Sequence, residues 1–142
     1  MNKILKVILK YLILFCIGGC CYYGLEYLWR GYSHWTMFLL SGILFIIIGC
    51  LNESFTYKMP LWKQCLIGSI VITILEFICG CIVNLWLEWN VWDYSDMPFN
   101  ILGQICLPFS LLWFVMSGVV IITDDWLRYW LFKEEKPHYK LK

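Results

Sequence analysis

One carboxylate, Glu76, lies inside an otherwise apolar stretch that runs from about Leu61 to Leu87. A helix rises about 1.5 Å per residue, so counting from either end puts Glu76 near the middle of this stretch. A charged side chain at the centre of a bilayer costs about 2.5–3.5 kcal/mol on insertion scales, unless it is neutral, paired or hydrated. Asn84 follows eight residues later on much the same helical face. We predict that Glu76 and Asn84 form the polar centre of a membrane domain.

Two interpretations of Glu76 follow from its position. It is either a proton-linked or cation-binding carboxyl group in a helical bundle, or a protonated carboxyl group that hydrogen-bonds to a neighbouring helix. Tyr22, Ser110, Ser117 and a backbone carbonyl are the candidate partners in the second case. No Lys or Arg lies at matching depth in the other apolar stretches, so a permanent salt bridge is not expected.

A second set of polar residues falls at the ends of the apolar stretches and is predicted to meet at the outer membrane face. These residues are Glu26, Arg30, His34, Asp93, Asp96 and Asn100. They form either an outward-facing polar site for a small solute or ion, or a lock in which Arg30 pairs with Glu26, Asp93 or Asp96. His34 could serve as a base beside an outer acid, but no motif places a Ser or Cys nucleophile with it.

The sequence predicts no enzyme, cofactor or metal centre. It has no Walker motif, no GxSxG and no HExxH. Eight cysteines are present without a CxxC spacing, and all lie in or at the ends of apolar runs. A metal or redox site is one interpretation of them. Cysteine also serves as a small apolar residue, and on that interpretation we expect free thiols and no catalytic residue.

The composition indicates which elements must position these residues. Hydrophobic residues make up 61% of the 142, and the mean hydropathy is +0.70. Soluble domains are about 45–50% apolar, so the solvent for most of these side chains is expected to be the lipid bilayer. The net charge of +1 gives no basic surface for nucleic acid.

Four apolar segments predict an all-α protein with four transmembrane helices. They run from about Ile4 to Trp29, Trp35 to Leu51, Leu61 to Leu87, and from an N-cap at Asn100 to Thr123, where Asp124 and Asp125 are expected to end the helix. Pro108 is expected to kink the last helix or end a short helix before it. The loop between the last two segments could re-enter the membrane. In the first segment, Cys16, Cys20 and Gly24 recur every four residues, a spacing that lets another helix approach closely.

The basic residues predict the orientation. Ten of the eleven fall on one side of a four-span arrangement and only Arg30 on the other, so both termini are expected in the cytoplasm. We predict one transmembrane domain over residues 1–142, with a short interfacial or cytoplasmic tail from about residue 124 to residue 142. A homo-oligomer or a partner membrane subunit is compatible with the helix-packing stripe.

The stretch WDYSDMPFNILGQICLPFSLLW resembles the signature of a family of small membrane proteins labelled ABC-transporter type IV permeases. YGLEY, RGYSHW and TILEFICG fit the same pattern in order, so the resemblance spans roughly Tyr22 to Trp130. The first outer turn departs from the pattern, because it lacks the Gly-Pro-x-x-Pro-x-Tyr-Gly stretch of many members. The resemblance implies a multi-pass protein of a bacterial plasma membrane with a transport-associated role. The alternative is a structural or regulatory subunit that acts by helix association.

Overall fold

The chain is helical, and the computed structural model describes residues 2–52 and 57–141. The helices are α1 (Lys3–Arg30), α2 (Trp35–Gly49), α3 (Leu61–Gly80), which continues as a π-helical turn (Cys81–Trp86), and α4 (Leu107–Phe132). In the described ranges the β-type pairing is one isolated bridge, between Ile101 and Ile105. The prediction of an all-α, four-helix protein is confirmed.

Local signals set the ends of the first two helices. The Asn2 side chain accepts from the Ile4 amide and begins α1, and Gly31, with a φ of 78°, ends it. The Nδ1 atom of His34 accepts from the Thr36 amide and begins α2. His34, predicted as part of the outer cluster, is therefore the N-cap of the second helix.

Three helices are long and apolar enough to cross a membrane: Lys3–Arg30, Leu61–Trp86 and Leu107–Phe132. α2 is also apolar but has 15 residues, so at about 1.5 Å per residue it is shorter than a hydrocarbon core of about 30 Å. The outer faces are apolar, as a lipid environment requires; Leu28 and Trp29, for example, are 83% and 88% exposed. The chain is accordingly a membrane protein.

The described chain divides into two compact units, Met1–Lys58 with Val120–His138, and Met59–Val119 with Tyr139–Lys142. In the first unit, α1 and α2 interlock through glycines and phenylalanines. Phe45 covers Gly18 so closely that an added Cβ would clash, and a Cβ on Gly19 would come within 2.8 Å of Phe38. Small residues at these positions allow the two backbones to approach.

In the second unit, hydroxyl groups join α3 to the first half of α4. The Ser69 hydroxyl donates to the Ser110 carbonyl at 2.6 Å, and the hydroxyls of Thr73 and Ser110 lie 2.9 Å apart. These bonds satisfy polar groups in a region where lipid offers no partners. The loop of residues 87–106 connects the ends of these two membrane-spanning helices.

The predicted limits of the fourth segment were wrong at both ends. The helix begins at Leu107 and not after Asn100, which belongs to a turn of the loop. Pro108 therefore lies in the first helical turn, where its missing N–H is not needed. It also continues past Asp124 and Asp125 to Phe132, because both carboxylates are buried and hydrogen-bonded within the fold.

Candidate functional site

Glu76 is buried on α3, and neutral donors from two other segments approach its carboxylate. The side chain is 4% exposed. The Trp113 indole Nε1 donates to Oε1 at 3.3 Å, and the Tyr94 hydroxyl donates to Oε2 at 3.4 Å. Trp113 belongs to α4 and Tyr94 to the loop of residues 87–106. The carboxylate thus connects two membrane-spanning helices and the loop between them.

Aromatic rings hold these two donors in place. The Tyr94 ring stacks on Phe109, with centroids 4.7 Å apart and planes 11° from parallel. Phe109 lies one helical turn before Trp113, and these two ring centroids are 5.9 Å apart. Both carboxylate oxygens therefore face donors whose rings pack on Phe109. Moving Tyr94 would disturb this stack.

Asn84 contacts a different part of the loop. Its amide nitrogen donates to Oε1 of Gln104 at 2.8 Å, and its amide oxygen accepts from the Val91 backbone at 2.7 Å. The Trp92 indole donates to the Gln104 carbonyl at 3.0 Å. Glu76 and Asn84 lie in the same unit, but their hydrogen bonds go to separate partners, and the role of Asn84 in this geometry is to close the loop.

The members of the predicted outer cluster that lie in the second unit also organise this loop. Asp93 accepts hydrogen bonds from the hydroxyl and the amide of Ser95, and these bonds lower the pKa of the exposed Asp93 carboxyl. Asn100 donates to the Met97 carbonyl at 2.9 Å and accepts from the Gly103 amide at 3.1 Å. Asp96 is exposed.

Two members of the predicted outer cluster that lie in the first unit form a partly buried ion pair. Arg30 lies 3.7 Å from Glu26, one helical turn earlier, and its guanidinium is 4.4 Å from the centre of the Tyr32 ring. The Ser33 hydroxyl donates to Glu26 at 3.3 Å. The Arg30 side chain is 28% exposed, whereas that of Glu26 is 7% exposed, so Arg30 shields the buried carboxylate from one side.

A buried charged network in the first unit has no counterpart among the sequence predictions. Arg128 donates to Asp124 at 2.7 Å and lies 3.8 Å from Glu134, which Lys10 also contacts at 2.5 Å. Nearby, Asn52 donates to Asp125 at 2.6 Å. The four-residue spacing of Asp124 and Arg128 was the available signal, because it puts both side chains on one helical face.

The packing stripe predicted on α1 faces away from α2. Cys16, Cys20 and Gly24 are exposed, and nothing lies within 4 Å of the position where a Gly24 Cβ would stand. The contact with α2 uses Gly18 and Gly19 instead. All eight cysteines have free thiols, and in residues 2–52 and 57–141 no group of three or more His, Cys, Asp or Glu side chains could hold a metal ion.

Residues 11–136 match the family model described as "Putative ABC-transporter type IV". The chain belongs to this family. The match confirms the family that the resemblance indicated, and the matched range includes Glu76, Tyr94 and Trp113. No solved structure matches the chain.

In this ABC-transporter type IV family member, the motif residues have distinct structural tasks. Tyr94 reaches Glu76, Trp92 and Gln104 close the loop with Asn84, and Asp93 and Ser95 shape its exposed turn. Two residues of the motif, Tyr94 and Trp113, donate to the one buried carboxylate of α3, which makes Glu76 the strongest candidate for a functional residue in the second unit.

Proposed function

We propose that this protein has a transport-associated, permease-like role in the membrane, with Glu76 as the polar centre. The observation that carries the proposal is the convergence of α3, α4 and the loop on one buried carboxylate. Family membership supports the same role, since the family is described as transporter-type.

The geometry gives Glu76 a way to respond to a proton, a cation or a donor group of a solute. Its two oxygens accept from Tyr94 and Trp113 at 3.4 and 3.3 Å, which is long for such bonds. Hydrogen bonds of this length are weak, so a closer partner could take the place of either donor at the carboxylate. Because the Tyr94 ring is stacked on Phe109, displacing its hydroxyl from Glu76 would shift that stack and this part of the loop.

The proposed orientation places both termini in the cytoplasm of a bacterial cell and the loop of residues 87–106 outside. This orientation rests on the distribution of Lys and Arg. The hydrogen bond from Tyr94 would then connect the Glu76 carboxylate to the loop on the outer face. The proposed partners are the lipid bilayer and another membrane subunit, which is either a second copy or a different chain.

A proton-flux assay tests the role of Glu76. Purified protein is reconstituted into liposomes that enclose a pH-sensitive dye, and a potassium diffusion potential drives proton entry. We expect faster acidification with the wild type than with empty liposomes, and a return to the empty-liposome rate with Glu76→Gln. The matched control is Glu88→Gln, which removes an exposed carboxylate from the loop and should retain the wild-type rate. Equal rates for the wild type and Glu76→Gln would contradict a proton-linked role.

A second candidate role is that of a non-transporting subunit that acts by helix association. The observation in its favour is the exposure of Cys16, Cys20 and Gly24 along one stripe of α1. Mild oxidation in native membranes would then cross-link copies through Cys16 or Cys20, and Gly24→Leu would block the cross-link. Flux that depends on Glu76, without such a cross-link, would favour the permease-like role.

A further inference from the structure

The loop of residues 87–106 ends in an apolar tip that consists of Phe99, Ile101 and Leu102. These side chains are 80%, 54% and 65% exposed. Single exposed hydrophobic residues are common on proteins, but three within four positions form a patch. Asp93, Ser95 and Asp96 form an exposed polar turn beside it, and Leu87 and Trp89 are exposed at the start of the loop.

The interior of the loop is already filled, so the tip is not a misplaced part of its core. Val91, Trp92, Gln104 and Cys106 are all at most 6% exposed. Val91, Trp92 and Gln104 are fixed by the hydrogen bonds of Asn84 and by the Trp92 indole bond to the Gln104 carbonyl. Turning Phe99 or Leu102 inward would require one of these groups to leave.

The backbone holds the tip in its exposed position. Phe99 and Leu102 have φ values of 53° and 54°, a region that side-chain-bearing residues seldom adopt. Asn100 bonds to the Met97 carbonyl and the Gly103 amide, and the Ile101 amide donates to the Ile105 carbonyl at 2.9 Å. An uncommon backbone conformation that is fastened by several bonds and displays apolar side chains points to a surface that contacts something apolar.

We infer that this tip inserts into the boundary between headgroups and acyl chains of the bilayer and anchors the loop there. The loop joins Trp86, the last residue of one membrane-spanning helix, to Leu107, the first residue of the next. Leu102 is therefore five residues from a segment that lies in the membrane. Trp86 and Leu107 are themselves exposed, at 77% and 46%, so apolar surface is present at both ends of the loop.

The charge of the loop favours the apolar boundary of the bilayer over an anionic partner. Residues 87–106 contain Glu88, Asp93 and Asp96 but no Lys, Arg or His. Insertion would rest on the apolar and aromatic side chains alone, as in other interfacial anchors. A larger fraction of anionic lipid should therefore not strengthen it, because the three carboxylates are repelled by such a surface.

Site-specific fluorescence in liposomes tests the anchor. Single cysteines are introduced as Phe99→Cys or Leu102→Cys on a background without other cysteines, and labelled with an environment-sensitive dye. We expect quenching by lipids that carry a nitroxide near the headgroup, and little quenching by aqueous iodide. The matched control, Asp96→Cys, lies on the polar surface of the same loop and should give the opposite pattern. Replacing neutral lipids with anionic lipids should not increase the quenching by the lipid nitroxide at any of these positions.

A second measurement avoids the cysteine-free background, which removes the buried Cys65 and Cys106. Phe99 is replaced by the photoreactive analogue benzoylphenylalanine in the otherwise native chain, and illumination in liposomes should yield a lipid adduct detectable by mass spectrometry. Strong iodide quenching at residue 99 would contradict the anchor. So would protection from both quenchers, or a cross-link to a second copy of the chain, because a protein would then cover the tip.

Discussion

The guanidinium Nε of Arg128 lies 2.7 Å from Oδ2 of Asp124, and these side chains are 2% and 0% exposed, respectively. Both belong to the last turns of α4, one helical turn apart. A buried pair of this kind gives modest net stability, but the loss of one member leaves a charge without compensation at low dielectric. The same guanidinium lies near Glu134, so Arg128 also connects the helix to the segment that follows it.

Arg128→Ala is expected to destabilise the protein by about 3–5 kcal/mol, the cost of breaking a buried pair from one side. Thermal unfolding in detergent measures the effect. Lys6→Ala, which removes an exposed basic residue from α1, should leave the transition nearly unchanged. A similar small shift for both variants would mean that water reaches the Arg128 network.

Glu76 can be tested separately for its structural contribution. In Glu76→Gln an amide oxygen can still accept from Trp113 or Tyr94, so the protein should remain folded with a small loss of stability. Glu76→Leu removes the carboxylate that accepts from both donors, and the loss of such a buried hydrogen bond costs about 1–3 kcal/mol. Thermal unfolding should therefore rank wild type above Gln and Gln above Leu. A Leu variant as stable as the wild type would show that these long hydrogen bonds contribute little.

Arg30 should matter more for stability than an exposed lysine of the C-terminal segment. Its removal leaves Glu26 buried with the Ser33 hydroxyl as a donor, and we expect a loss of about 1–3 kcal/mol for Arg30→Ala. Lys136→Ala, at an exposed position, is the reference and should stay within about 0.5 kcal/mol of the wild type. Indistinguishable unfolding curves for the two variants would refute a structural role for the Arg30–Glu26 pair.

Topology can be tested by the reaction of single cysteines with a membrane-impermeant reagent. On a cysteine-free background, Ser95→Cys should react in intact cells, whereas Lys58→Cys should react only after permeabilisation. Both positions lie in non-helical parts of the chain, and both side chains are exposed. The reverse pattern would invert the orientation predicted from the basic residues.

The helices were predictable where the chain is continuously apolar. Segments one to three match α1, α2 and α3 with its π turn to within two residues at each end. The start of α4 was not predictable, because Ile101, Leu102 and Ile105 look like the first turns of a membrane helix although they belong to the loop. The end of α4 was missed because Asp124 and Asp125 were expected to end the helix, whereas both are buried, and Asp125 accepts from Asn52, which is distant in sequence.

The site was predictable in position but not in its partners. An isolated carboxylate in an apolar helix is conspicuous in a sequence, so Glu76 was found. Its donors were not, because Tyr94 and Trp113 are 18 and 37 residues away in sequence and approach it only through the path of the loop and the packing of α4. Of the candidates named from sequence, Ser110 bonds to Thr73, and the buried Ser117 hydroxyl has no hydrogen-bond partner in the described parts of the chain.

The π-helical turn determines the angular register of everything that follows Gly80. An α-helix advances about 100° per residue, and a π turn accommodates one residue more than an α turn. The bond from the Leu87 amide to the Ile82 carbonyl has this wider spacing. Deleting one residue between Cys81 and Val83 would restore an α-helical turn without shortening the apolar span appreciably. Because the wider turn absorbs that residue, the helix before and after it would keep nearly the same register. A straight α-helix that carried the same extra residue would instead turn Asn84 by about 100°, away from Val91, so the π turn is what lets the helix keep the residue and still close the loop.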